Sequence, residues 1–240
     1  MQTGVSVLGQ EIAERYQNVA AKIEAAKQRR TTVPKDAAVT LVAVTKNHDV
    51  AAMREAIAAG ATNVGENRVQ EAKGKFAEIG NSVTWHLIGH LQTNKVRQAV
   101  KFSDLIHSVD SLHLAETISS EAARIDKVQD ILVQVNLAKE DSKSGVYRED
   151  LQEVLQAVTK LPNLRLRGLM CMAPNYDDVE KCRPLFREMY KIYQQIKEMG
   201  LPASNIDMLS MGMTHDYEIA VEEGANVVRV GTAIFGPRQY

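Results

Sequence analysis

The chain is poor in cysteine, in aromatic residues and in excess charge of either sign, and each shortage removes a class of function. Its cysteines are Cys171, in an apolar strand-like run, and Cys182, in a helical one. Neither a disulfide framework nor paired metal-ligand spacing is present, and both read as small core residues rather than reactive thiols. Aromatics make up 5% of the 240 residues, and 29 Lys plus Arg face 30 Asp plus Glu, for a net charge of -1. A chain so balanced carries no electrostatic footprint for nucleic acid or for an anionic membrane surface. No apolar run approaches the length that spans a bilayer, and Met1 to Gln10 has neither a basic flank nor the apolar core of a leader, so a cytoplasmic protein is expected.

What is there is ordinary globular material, 45% hydrophobic and 25% charged, in a chain long enough for one large α/β domain. Residues 8–29 place Ile12, Tyr16, Val19, Ile23 and Ala26 on one helical stripe. After Pro34, apolar strand-like runs alternate with helical patterns to the end. The strand candidates are Val39–Thr45, Asn63–Gly65, Thr84–Ile88, Leu105–Val109, Ile131–Val135, Leu166–Met172, Ile206–Ser210 and Val227–Val230. Helical patterns fill 49–59, 67–79, 92–101, 111–125, 149–160, 178–199 and 215–223. This alternation predicts a (β/α)8 TIM barrel with an extra N-terminal helix, residues 1–240 forming a single domain. A doubly wound sheet is the competing fold, but it usually carries a glycine-rich turn after its first strand, where this chain has Thr45-Lys46-Asn47-His48. Lys139 to Arg148 reads as an irregular loop on the strand-end face, either a lid or a solvated connection.

In a barrel, chemistry gathers at the carboxyl ends of the strands, and phosphate favours the loops after the seventh and eighth. Lys46 ends the first strand, where it is either an amine for Schiff-base chemistry or a solvated residue with a covering stem. Ser210-Met211-Gly212-Met213-Thr214 and Gly231-Thr232-Ala233-Ile234-Phe235-Gly236 have the small residues and hydroxyls of a phosphate cup, or of plain turns and caps. Arg229 interrupts an apolar run, so it needs an acceptor. It either pairs with a carboxylate such as Asp207 or Glu66, or donates to a bound ring. Asn67 is a ligand contact or a helix cap, His86 a core histidine or an acid–base group, and Met170, Met172, Met211 and Met213 are adaptable cavity walls.

Several of these stretches together resemble one family. Leu41 to Lys46, Gly65-Glu66-Asn67-Arg68-Val69-Gln70-Glu71, Trp85 to Lys95, Leu209 to Thr214 and Val228 to Gly236 are similar, in order, to the pyridoxal phosphate homeostasis proteins. The resemblance runs from about residue 8 to the C-terminus, with one departure, Thr214, where the family more often has serine. It implies a fold type III barrel like that of alanine racemase, with pyridoxal 5'-phosphate (PLP) as cofactor and Lys46 as the lysine of the internal aldimine. Ser210, Gly212, Thr214, Gly231 and Thr232 would surround the phosphate, Arg229 would face the pyridine nitrogen, and Asn67 and Met211 would lie beside the ring. His86 and Met170 are possible further lining residues.

The resemblance also implies a role in vitamin B6 and amino-acid homeostasis, with PLP, amino acids and PLP-dependent apoenzymes as partners. In racemases of similar fold a tyrosine from a second, β domain acts opposite the lysine. This sequence ends at Tyr240, soon after the last motif, so a monomeric carrier rather than an efficient enzyme is expected. A weak racemase, with His86 or a loop tyrosine as second base, and a class I aldolase-like barrel are the alternatives.

Overall fold

The computed structural model describes residues 7–139 and 144–237. Residues 140–143, the centre of the expected irregular loop, and Tyr240 lie outside the described residues. Parallel strands β1 (Thr40–Val44), β2 (Asn63–Glu66), β3 (Thr84–Leu87), β4 (Leu105–Val109), β5 (Gln129–Val135), β6 (Leu164–Cys171), β7 (Ser204–Ser210) and β8 (Val227–Val230) close into one barrel in sequence order. Closure is made by β1 against β8, with Val42 opposite Arg229 and Ala43 opposite Val230. The eight predicted strands are thus present, and the barrel reading stands over the doubly wound one.

Helix α1 (Val7–Gln28) precedes the barrel, and α2 (Val50–Ala58), α3 (Val69–Ile79), α4 (Val96–Ala99), α5 (Leu112–Ala123), α6 (Arg148–Val158), α7 (Arg183–Glu198), α8 (Tyr217–Glu222) and α9 (Thr232–Phe235) follow the strands in turn. Two helical patterns are broken. Residues 92–101 divide into a 3-10 turn, Thr93–Lys95, and the short α4, and 178–199 divides into a 3-10 turn, Val179–Cys182, and α7. Pro184 at the start of α7 lacks an N–H to continue a helix entering from upstream, which makes it a starting residue.

Because α9 is a single turn, the outer layer after β8 is left thin. The predicted extra helix fills that place: α1 packs against α2, α8 and α9, burying Ile12, Val19, Ile23 and Ala26. Arg30, just past it, is buried and donates to the carbonyls of Ala37 (3.0 Å), Val221 (2.9 Å) and Ala225 (2.9 Å). Each large apolar side chain in the layer between barrel and helices, such as Trp85, Ile118, Leu155 and Phe186, contributes about 1.5–3 kcal/mol by leaving water. Leu105, Leu132 and Met170 form a separate small cluster with Met172 and Met208.

Candidate functional site

The strand-to-helix turn after β1 is fixed from three sides. Asp49 caps α2 by accepting from the Ala52 N–H at 2.8 Å. Asn47 takes a positive φ of 62° and donates its N–H to Glu71 at 2.6 Å. The Thr45 carbonyl accepts from Lys75 Nζ at 2.7 Å. Lys75 is buried, and the same ammonium bonds Glu66 Oε1 and Glu71 Oε1, each at 2.7 Å, while the Thr45 hydroxyl also donates to Glu66 Oε1 at 2.5 Å. The residue between these anchors, Lys46, is half-buried and faces a cavity of about 330 Å³ at the carboxyl end of the barrel.

The far wall comes from the end of the chain. The loops after β7 and β8 are joined to each other: the Arg229 N–H donates to the Gly212 carbonyl at 3.1 Å, and the Gly231 N–H to Thr214 Oγ1 at 3.3 Å. Gly212 has φ of +94°, and a Cβ there would sit 2.6 Å from the Ala220 side chain, so the close packing of this loop on α8 requires glycine. On the third side, a Cβ at Gly89 would lie 2.4 Å from the Asn67 carbonyl oxygen, so the loop after β3 can press against Asn67 only without a side chain.

The donors lining the cavity are Lys46, Asn67, Thr214, Arg229, Thr232 and two histidines, His48 and His215, with Gly231 at the edge. Val44, Ile88, Met172 and Met213 supply apolar surface. No Asp or Glu is among the described residues that line it. Such a wall suits a small anionic ligand with an apolar ring, and the volume is near the low end of the roughly 300–1,000 Å³ usual for small-molecule sites. A larger groove of about 520 Å³ lies beside α1 at the opposite end of the barrel, lined by Tyr16, Gln17, Glu24 and Asn63 among others. Barrel chemistry sits at the carboxyl ends of the strands, so the smaller cavity is the candidate.

The residues singled out in the sequence divide into two groups. Lys46, Asn67, Thr214, Arg229, Gly231 and Thr232 all meet at the cavity. Asn67 is not a cap, since α3 starts with Arg68 in the capping position. Ser210, Met211, Gly212, His86 and Met170 are not among the lining residues. Met211 and Met170 are buried in the core, and the methionines that reach the cavity are Met172 and Met213. The Ser210 hydroxyl is engaged below the floor by Arg229 Nη1 and by His107 Nδ1, the latter at 3.0 Å. His86 is buried against His107 and Asn63, out of reach of the cavity.

Arg229 takes neither carboxylate offered by the ion-pair reading. Asp207 is held by Arg167 at 2.6 Å and Glu66 by Lys75, while Arg229 donates to Ser210 and, at 2.9 Å, to the Cys171 carbonyl. Burial pushes its guanidinium down from the ordinary arginine value, with Cys171 and Asp216 opposing that shift. His48, which stacks on Phe235 with ring centres 4.8 Å apart, and His215 were not assigned from the sequence. Their positions beside the two motifs were the available signal. Cys171 and Cys182 are buried and not joined in a disulfide, and among the described residues no group of three or more His, Cys, Asp or Glu could hold a metal ion.

The alanine racemase N-terminal domain family matches residues 11–239. A pyridoxal phosphate homeostasis protein of Pseudomonas aeruginosa is 41% identical over 232 residues, covering 95% of this chain and 96% of its own length. That of Escherichia coli K12 is 38% identical over 234 residues, covering 96% and 98%. The structure of PipY from Synechococcus elongatus with PLP bound is similar with a TM-score of 0.80 at 38% identity, covering 94% of this chain and all of that one. Alanine racemase from Corynebacterium glutamicum shares the fold, with a TM-score of 0.70 at 15% identity over 96% of this chain and 62% of its own. With its barrel closed in the same order and these likenesses running nearly end to end, the chain belongs to the pyridoxal phosphate homeostasis proteins, built on the alanine racemase N-terminal domain.

Proposed function

We propose that this chain holds PLP in the cavity at the carboxyl end of the barrel and serves vitamin B6 and amino-acid homeostasis as a cytoplasmic carrier. The observation that carries this reading is the acid-free wall, which puts one lysine, one inner-strand arginine and a glycine-hydroxyl edge around a single small space. PLP needs those partners: an amine for its aldehyde, a donor for its ring nitrogen, and N–H and hydroxyl groups for its phosphate. Lys46 would make the covalent link. Thr214, Gly231 and Thr232 would take the phosphate, with Ser210 and Gly212 supporting their loop, and Asn67 would lie beside the ring with Met213 in the place expected of Met211.

The bound cofactor would supply a ring able to draw electrons from an attached amine. Arg229 limits that ability, because even with burial lowering its pKa a guanidinium keeps its proton and leaves a facing pyridine nitrogen unprotonated. The second base proposed for a racemase is also not available in His86, which is sealed beneath the floor. His48 and His215 do line the cavity, so the limit on turnover rests on Arg229, and on that ground holding fits this site better than turnover. In this reading residues 1–240 act as one monomeric cofactor-binding domain, exchanging PLP with apoenzymes and meeting amino acids at the cavity mouth.

Incubation of the purified protein with PLP should produce a visible absorption band, and borohydride reduction should fix the cofactor mass to the peptide carrying Lys46. Lys46→Ala should lose both while remaining folded. A wild-type protein that shows no band and no mass increase defeats the proposal. Rapid exchange of the α-proton of L-alanine in deuterium oxide would replace the carrier with a racemase.

A further inference from the structure

A column of hydrogen bonds runs through the barrel interior beneath the cavity. Arg229 on β8 donates to Ser210 Oγ on β7. Ser210 Oγ lies 3.0 Å from His107 Nδ1 on β4, His107 Nε2 lies 2.8 Å from His86 Nδ1 on β3, and His86 Nε2 lies 2.9 Å from Asn63 Oδ1 at the start of β2. The four side chains from Arg229 to His86 are between 0% and 3% exposed. Barrel interiors are ordinarily filled by branched apolar side chains, so a polar column through this one calls for an explanation.

The proton order along the column follows from its Asn63 end. Asn63 Nδ2 donates to Thr62 Oγ1 at 3.0 Å, which turns Oδ1, an acceptor, toward His86. His86 must then carry its proton on Nε2. Burial holds both rings neutral, pushing His86 down to about 4 and His107 well below its usual value, with His86 and Arg229 adding to the effect on His107. A neutral His86 accepts at Nδ1, so His107 carries its proton on Nε2 and accepts at Nδ1. Ser210 accordingly donates its hydroxyl proton to His107, and its oxygen is left to accept from Arg229. Arg229, which can only donate, is compatible with this order, because Ser210 Oγ keeps a lone pair for it while its proton goes to His107.

We infer that His107 and His86 are positioning residues for Arg229: through Ser210 they fix the direction of the guanidinium at the cavity floor. The inference rests on the PLP reading for its purpose, but the column itself does not depend on a ligand. Neither histidine touches the cavity, so neither is a catalytic residue. Without His107 the Ser210 side chain could change rotamer to find another acceptor, and Arg229 would then keep the Cys171 carbonyl but lose the serine oxygen that sets the direction of its Nη1.

The test uses rescue by amide replacements. His107→Asn can put an amide oxygen where Nδ1 stands and still accept from Ser210; His107→Gln reaches the Nε2 position instead, and His107→Leu offers neither. Nitrogen-15 NMR of histidine-labelled wild type should show both buried rings neutral with the proton on Nε2. The Arg229 side-chain protons should exchange slowly in wild type and His107→Asn, and fast in His107→Gln and His107→Leu. The latter two should bind PLP about tenfold more weakly, the factor for one ordinary hydrogen bond, with a shifted absorption maximum. Should His107→Leu fail to fold, Ser210→Ala cuts the column one link higher and should give the same loss of Arg229 protection. A proton on Nδ1 of either ring, or fast Arg229 exchange in His107→Asn equal to that in a folded His107→Leu, overturns the inference. If wild type binds no PLP, the carrier reading fails alone, and the ring tautomers with Arg229 exchange still decide the column.

Discussion

Two buried neutral histidines tie the stability of this protein to pH. In the unfolded chain each titrates near the ordinary value of about 6.5, whereas in the fold His86 titrates at about 4 and His107 well below its usual value. Between those values the unfolded state binds more protons, so stability rises with pH. Their contribution is complete above about pH 6.5 and is lost as pH falls toward the folded-state values. Urea denaturation at pH 7 and pH 5 should show a loss of about 1–2 kcal/mol from His86, with His107 adding in the same direction, and His86→Asn should flatten its share of the slope. The groups facing this pair are Asn63, Ser210 and, through the serine, Arg229, so no carboxylate among the described partners offsets the charge. The same residues mark the limit of what the sequence shows. Lys46, Asn67, Thr214, Arg229, Gly231 and Thr232 could be gathered from motif order and strand ends. Ser210 against Thr214, or Met211 against Met213, depends on which way each side chain turns as the strand gives way to the loop. Each pair is an even number of residues apart and would share a face in a continuing strand, so the exchange is set by the turn at Gly212, with φ of +94°, where the alternation ends.

At the scale of the element, the carboxyl end of β1 is held by a neighbour, not by its own sequence. Lys75 on α3 bonds the Thr45 carbonyl and the Glu66 and Glu71 carboxylates, and so anchors the residue before Lys46. Burial pushes the Glu66 carboxyl up while Lys75 and the Thr45 hydroxyl pull it down, and its second oxygen, Oε2, has no partner among the described residues. Removing Lys75 would leave a buried, half-satisfied carboxylate. Lys75→Met should cost about 3–5 kcal/mol in thermal or urea unfolding, and adding Glu66→Gln should recover most of it. A Lys75→Met protein of wild-type stability would show the ammonium to be dispensable. None of this was legible in advance, because Lys75 looks like any other charged residue on an amphipathic helix. Strands were easier: β1 and β8 are short β-branched apolar runs, and their ends were read to within a residue.

For the whole molecule, α1 replaces an outer helix that β8 does not supply, and it lies over the part of the wall where β1 and β8 meet. The strands carrying Lys46 and Arg229 are paired there, so a loosened α1 would loosen both sides of the site. Ile23→Ala removes a buried side chain from this contact and should cost about 2–5 kcal/mol, measured by urea unfolding, with the visible PLP band retained in whatever fraction stays folded. That α1 belongs to the barrel was legible only as an apolar stripe without a partner; where it docks depends on α9 being one turn long, which the motif Thr232 to Gly236 does not announce.

The closure of β1 on β8 also has a consequence in time. Arg29, at the end of α1, pairs with Glu222, 193 positions later in the chain. At a synthesis rate of roughly 5–20 residues per second, α1 and the free side of β1 wait about 10–40 s on the ribosome before their partners emerge. For that interval an apolar helix stripe and an open strand edge are both exposed. The nascent chain is therefore most vulnerable to misassociation at its beginning, and the last strand to be made ends that exposure.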